Sequence, residues 1–183
     1  MFSEASQRLA DDHSALDEVL SGLRKALANG DVADSHARLD LFWARLAVHI
    51  RAEHLHLFPA IINGISKSTD DQAGAPTQTE GQRAVERLRA DHDFFMHELA
   101  RAIGILRGLV KNLDPRTVQE GMRLVRQAVL EVEKRLILHN ELEEKQIYRW
   151  TETILTEREQ AELATQISAE LSNRPPRISP GAW

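Results

Sequence analysis

Six side chains with metal-binding chemistry recur in the same order in the two halves of this chain. Each half has a lone histidine, followed on the next predicted helix by a histidine and a glutamate four residues apart. The six residues are His13, His49, Glu53, His92, His139 and Glu143. Residues four apart lie on one face of an α-helix. Because a mixed set of imidazoles and carboxylates suits iron, the pattern predicts a helical bundle that holds two transition-metal ions.

The repeat extends beyond the candidate ligands. The segment LADDHSALDEVL from Leu9 matches LRADHDFFMHEL from Leu88, and HIRAEHLHLFP from His49 matches HNELEEKQIYR from His139. A duplicated helix pair predicts a pseudo-twofold bundle in which each pair supplies half of the site.

The candidate ligands lie on the leucine-rich stripes of their helices. A single histidine on such a stripe is more often an ordinary core residue than a ligand. A buried glutamate without a cation or hydrogen-bond partner, however, costs several kcal/mol or becomes protonated. Since four histidines and two glutamates share these stripes, we expect a dinuclear metal site.

Capping signals and apolar periodicity predict an all-α fold, an up-down-up-down four-helix bundle with a short C-terminal fifth helix. Pro59 should kink or end the second helix, and the polar segment 66–82 should be a mobile loop. We expect the bundle to occupy residues 1–150, and the short helix and an extended tail to occupy residues 151–183. The predicted helices run from Ser3 to Asn29, from Asp31 or Asp34 to about Gly64, from Gly81 to Lys111, from Asp114 to Trp150, and from Thr156 to Ser172.

Helical phase sorts the four remaining histidines. His36, His54 and His97 lie about 140° from the ligand face of their helices and should be peripheral. His56 lies about 20° from the phase of His49 and should face inward, as a polar neighbour of the ligands, a proton relay or an extra ligand.

Three aspartates near the lone histidines are also candidates for a supporting role. Asp17 shares the face of His13, so it could bind the metal itself, but a role in orienting a ligand is favoured. Asp12 and Asp91 lie about 100° off that face, so we expect each of them to pair with a neighbouring helix.

Composition limits the partners. The 183 residues carry a net charge of −5, with no basic stripe, which argues against nucleic-acid binding. The absence of cysteine excludes disulfides and thiolate-bound metal. No apolar run is long enough to span a membrane, and the N-terminal residues lack the layout of a signal peptide, so we expect a cytoplasmic protein.

The ligand pattern resembles that of the hemerythrin-like, or HHE cation-binding, proteins over roughly residues 5–150. The string EHLHLFP from Glu53 to Pro59 is similar to the EExxLFP of that family. In oxygen-carrying members a fifth histidine stands where this chain has Met96, and the last ligand is an aspartate five residues after the final histidine rather than Glu143. The chain is closer to the symmetric branch with four histidines and two glutamates.

The resemblance implies a non-haem di-iron centre, oxo- or hydroxo-bridged, with both glutamates bridging the irons; manganese or zinc is the alternative. It also implies binding of a small diatomic or peroxide ligand, for sensing, storage or detoxification. Three alternatives stay open: a redox enzyme that consumes peroxide or nitric oxide, an iron-donating stress-repair protein, and an interaction bundle with a structural metal. The sequence does not decide whether the protein is an enzyme.

Overall fold

The computed structural model describes residues 3–67, 74–111 and 114–174, and within these ranges it is helical with no β-strand. The α-helices are α1 (Glu4–Asn29), α2 (Val32–Ala52), α3 (Phe58–Lys67), α4 (Gln78–Leu109), α5 (Pro115–Leu142), α6 (Tyr148–Ile154) and α7 (Glu157–Ser172). Two π-helical segments, Glu53–Leu57 and Glu143–Ile147, continue α2 into α3 and α5 into α6.

Most helix ends follow the predicted capping signals. The Ser3 side chain accepts a hydrogen bond from the Ser6 amide at the start of α1, and Gly30 ends that helix with a φ of 73°. Asp114 caps α5, and Thr156 opens α7 with a capping box. A second capping box at Thr77 starts α4 three residues before the predicted position.

The second helical run is longer than predicted. It continues to Lys67 because Pro59 falls in the first turn of α3, directly after the π-helical segment, where the ladder of α-helical hydrogen bonds is already interrupted. At the two ends of the predicted loop, residues 66–67 and 78–82 are helical, and residues 68–73 lie outside the described part of the chain. The predicted extended tail, from residue 175 onward, also lies outside it.

The long helices contact one another in cyclic order: α1 packs against α2, α2 against α4, α4 against α5, and α5 against α1. Their buried apolar side chains form two clusters at different levels. Leu16, Phe95 and Leu136 belong to one cluster, whereas Leu9 and Leu88 belong to the other. Since His13 and His92 follow Leu9 and Leu88 by one turn, the candidate ligands lie between the two clusters.

The C-terminal helix is part of this packing. Helix α7 contacts α1 and α2, and it buries Leu163, Ala164 and Ile167 in the second apolar cluster, together with side chains of α3 and α6. Among the described helices, none has a stretch sufficiently long and apolar to cross a membrane.

Candidate metal centre

The six predicted ligands meet in the protein interior, between the two apolar clusters. Their candidate ligand atoms form two groups, each with all atoms within 4.8 Å of one another. His13, His49, Glu53 and Glu143 form one group, and Glu53, His92, His139 and Glu143 form the other. Both glutamates are 0% exposed, and each of the four histidines is 5% exposed or less.

The histidines form two pairs, and each pair converges through its Nε2 atoms. The Nε2 atoms of His13 and His49 are 3.1 Å apart, and those of His92 and His139 are 3.0 Å apart. Each pair combines the lone histidine of one half with the His-x3-Glu histidine of the same half. The pseudo-twofold repeat in the sequence is therefore also a repeat of two half-sites.

Each glutamate spans both histidine pairs. Glu53 places Oε1 3.3 Å from His49 Nε2 and Oε2 3.2 Å from His92 Nε2. Glu143 places Oε1 3.3 Å from His139 Nε2 and Oε2 3.3 Å from His13 Nε2. Each half-site thus has two imidazole nitrogens and one oxygen from each carboxylate, which is the donor set of two ions bridged by two carboxylates.

Among the described residues, no donor makes a hydrogen bond of good geometry to any of the four glutamate oxygens, although all of them are buried. Buried carboxylates without hydrogen bonds are costly unless a cation compensates them. The donor set and these buried oxygens without hydrogen-bond donors both fit a pair of metal ions.

Proton affinities within the cluster are strongly displaced. Burial alone would lower the pKa of His49, but Glu53 and Asp12 raise it well above its usual range. The pKa values of His13 and His139 are also raised, because nearby carboxylates outweigh burial. Burial alone would raise the pKa of Glu53, yet the imidazoles of His49 and His92 hold it well below its usual range. Without metal, the cluster therefore retains protons that a bound cation must displace.

Outside the cluster, aspartates hold two of the histidines by their Nδ1 atoms. Asp12 Oδ2 lies 3.0 Å from His49 Nδ1, and Asp91 Oδ2 lies 3.3 Å from His139 Nδ1. As predicted, each aspartate pairs with the neighbouring helix. The specific role as partner of a ligand was not predicted; it fixes which imidazole nitrogen faces inward.

Two arginines complete these contacts. Arg45 donates to Asp12 Oδ1, and Arg135 donates to Asp91 Oδ1. Neither arginine was predicted from the sequence. The signal was present, because each stands four residues before the ligand histidine in an Arg-x3-His-x3-Glu repeat.

His13 and His92 have different Nδ1 partners. Glu144 Oε1 lies 3.1 Å from His13 Nδ1, whereas His54 Nε2 lies 2.9 Å from His92 Nδ1. The prediction that His54 points away from the site is wrong. It assumed a regular α-helix, but a π-helical turn closes an i→i+5 hydrogen bond, which brings the residue after Glu53 round to α4.

The same change of helical phase affects His56. Its Nε2 lies 3.9 Å from Glu170 on α7, and no contact described for it reaches the six ligands. The inward position predicted for His56 is therefore not observed. Asp17 is exposed rather than directed at a ligand, which also differs from the prediction. His97 is exposed and His36 is half-buried, and both lie outside the cluster.

A cavity of about 400 Å³ between α1 and α5 reaches the His13 side of the centre. Its wall includes His13, the apolar side chains of Leu20 and Leu136, and the carboxylates of Asp17 and Glu144. The Glu144 side chain is 40% exposed, whereas that of His13 is 5% exposed. The contact between them therefore connects solvent to a candidate ligand.

Once its imidazoles are deprotonated, the arrangement offers four nitrogen donors and two carboxylates that each face both histidine pairs, and a cavity reaches it at His13. Such a set suits divalent and trivalent transition metals better than calcium or magnesium, which prefer oxygen ligands. Comparison of this chain with protein-family models, curated proteins and solved structures gave no match, so the interpretation of the centre depends on its own geometry.

Proposed function

We propose that this protein is a hemerythrin-like, non-haem di-iron protein that binds a small molecule such as oxygen, nitric oxide or peroxide. The four long helices form its up-down-up-down bundle. His13 and His49 would hold one iron, His92 and His139 would hold the other, and Glu53 and Glu143 would each offer one carboxylate oxygen to either side. When bound, such a pair of irons supplies the redox and Lewis-acid chemistry for holding or reducing these molecules.

One observation carries the proposal. Glu53 and Glu143 are fully buried, and each directs one oxygen at each histidine pair. A structural ion in a single histidine pair would leave half of these oxygens without a partner. Two cations satisfy all four oxygens and all four Nε2 atoms.

The surroundings of the centre support a small and uncharged ligand. Leu16, Phe95 and Leu136 pack at one level beside the histidines, and they exclude bulk water from the buried Nε2 atoms. The cavity that ends at His13 is lined by Asp17 and Glu144, whose charges repel anions. Neutral diatomic molecules and hydrogen peroxide therefore suit this route better than anionic ligands.

Anaerobic loading with ferrous iron tests the proposal. The purified chain should bind two irons, and its absorption spectrum should change when oxygen, nitric oxide or peroxide is added. His92→Ala should lose metal, whereas His97→Ala, which removes an exposed histidine from the same helix, should retain both irons. Wild-type protein with one iron or none after loading, or a His92→Ala variant with normal iron content, would refute the dinuclear assignment.

A second candidate function is peroxide dismutation, and the contact of Glu144 with His13 favours it. Dismutation reduces one peroxide to two waters and oxidises a second peroxide to dioxygen, so it needs no other reductant. The first half takes up two protons, and the second half releases two. Glu144, partly exposed and hydrogen-bonded to a buried ligand, is placed to carry protons between solvent and the cavity. Steady oxygen release from peroxide by the iron-loaded protein, slowed in Glu144→Gln at unchanged iron content, would favour this function over simple binding.

A further inference from the structure

The hydrogen-bond partners of the four histidines follow the internal repeat at one position and break it at another. Asp12 and Asp91 occupy equivalent positions, and both contact the Nδ1 atom of a histidine in a neighbouring helix. Glu144 and His54 also occupy equivalent positions, each directly after a bridging glutamate. At this position of the repeat, one half therefore has a carboxylate and the other half has an imidazole.

This difference changes the charge around the two half-sites. With Nε2 directed at a metal, Nδ1 of each histidine carries its proton and donates it outward. His13 and His49 both donate to carboxylates, whereas His92 donates to the neutral Nε2 of His54. A carboxylate partner makes a ligating imidazole more basic than a neutral partner does.

An arginine lies near each half-site. The Arg89 guanidinium lies 5.8 Å above the ring of Phe58, which itself stacks 5.8 Å from the ring of His92. On the other side, Arg174 lies 3.8 Å from Asp12, the partner of His49. The difference between the two half-sites is therefore the one carboxylate that His13 contacts and His92 lacks.

We propose that the two halves of the centre bind divalent cations with unequal affinity. The half-site of His13 and His49 is the tighter one, and the half-site of His92 and His139 is the weaker one and exchanges its ion first. His54 is a positioning residue that causes the difference through His92. The inference rests on the proposed dinuclear centre and adds to it an order of filling.

Stepwise titration of the purified metal-free chain with Zn²⁺, in competition with a chromophoric chelator, tests the inference. Wild-type protein should show two dissociation constants at least about tenfold apart, beyond the statistical difference between equal sites. Native mass spectrometry should show chains with a single ion at intermediate loading.

Repulsion between two neighbouring ions would also separate the constants, so the variants decide the cause. His54→Glu gives both halves a carboxylate and should tighten the weaker constant by about 10–100-fold, with little change in the tighter one. His97→Glu makes the same change of charge on the exposed face of α4 and should leave both constants unchanged.

The reciprocal variant Glu144→His provides a second test in case His54→Glu does not fold. It changes a partly exposed side chain and should weaken the tighter constant by about tenfold or more, which brings the two constants together at lower affinity. If both constants keep their separation in both variants while two ions still bind, the inference is overturned and the dinuclear centre stands. If the wild-type chain binds fewer than two ions, the proposed function itself fails.

Discussion

Replacement of Glu53 by glutamine tests the bridging geometry most directly. The amide keeps the size of the side chain but has a single oxygen, so it can serve one half-site at most. In the structure the two carboxylate oxygens lie 3.3 Å from His49 Nε2 and 3.2 Å from His92 Nε2. The substitution therefore weakens both half-sites, one through loss of a donor and both through loss of charge.

The size of the effect follows from linkage. An ion present at 100 times its dissociation constant stabilises the fold by about 2.7 kcal/mol. Removal of an outer-shell partner already costs about 10–100-fold in metal affinity, so loss of a direct ligand should cost at least about 100-fold. At the same metal concentration the stabilisation then falls to about 0.4 kcal/mol, a loss of about 2.3 kcal/mol for each ion. The half-site that keeps the amide oxygen loses only charge, so the total lies between about 2.3 and 4.6 kcal/mol, which corresponds to about 5–18 °C in a chain of this size.

Thermal unfolding with and without metal is the appropriate assay, because each variant serves as its own metal-free reference. Wild-type protein should gain thermal stability when it is loaded anaerobically with Fe²⁺, and Glu53→Gln should lose most of that gain. Glu141→Gln is the matched control, since this exposed glutamate on α5 pairs with Lys145 rather than with a histidine. A Glu53→Gln variant that keeps two ions and the full increase in Tm would refute the bridging role.

Three other predictions concern protonation, ligand orientation and packing. Because the pKa of His49 is raised in the folded state, its protonated imidazole stabilises the metal-free protein fully below about pH 6.5. This stabilisation is lost as the pH rises through the folded-state pKa of His49, and metal affinity should rise over the same pH range. Calorimetric Zn²⁺ titrations in buffers of different ionisation enthalpy should therefore show proton release, and its absence would contradict the assignment. Asp12→Asn should weaken metal binding by about 10–100-fold, whereas Asp11→Asn, at an exposed position, should have no effect. Equal metal dissociation constants for the two variants, measured by chelator competition, would show that Asp12 does not position His49. Phe42→Ala should cost about 3–5 kcal/mol in urea denaturation because the ring is fully buried, against about 0.5 kcal/mol or less for Leu138→Ala, which is 58% exposed.

The sequence by itself determined the helical class, most helix ends and the membership of the buried cluster. The His-x3-Glu spacing places His49 with Glu53 on one helical face, and His139 with Glu143 on another, wherever those helices lie. The capping residue Ser3 likewise acts on amides within its own first turn. Such inferences succeed because they depend on contacts only a few residues apart in the chain.

Only the tertiary structure decided what surrounds each ligand. His54 contacts His92, and His56 turns toward α7, because the π-helical segment Glu53–Leu57 shifts a phase that a regular α-helix would have kept. The pairing of each carboxylate oxygen with one histidine depends on how close α1, α2, α4 and α5 approach one another. The sequence shows that Glu144 and His54 are different residues at equivalent positions. It does not show that Glu144 contacts His13 and that His54 contacts His92, because the first two residues are separated by 131 positions in the chain and the second two by 38. Helical spacing determines the direction in which a side chain leaves its own helix. The acceptor that faces an imidazole nitrogen belongs to another helix, so its identity depends on how the helices pack.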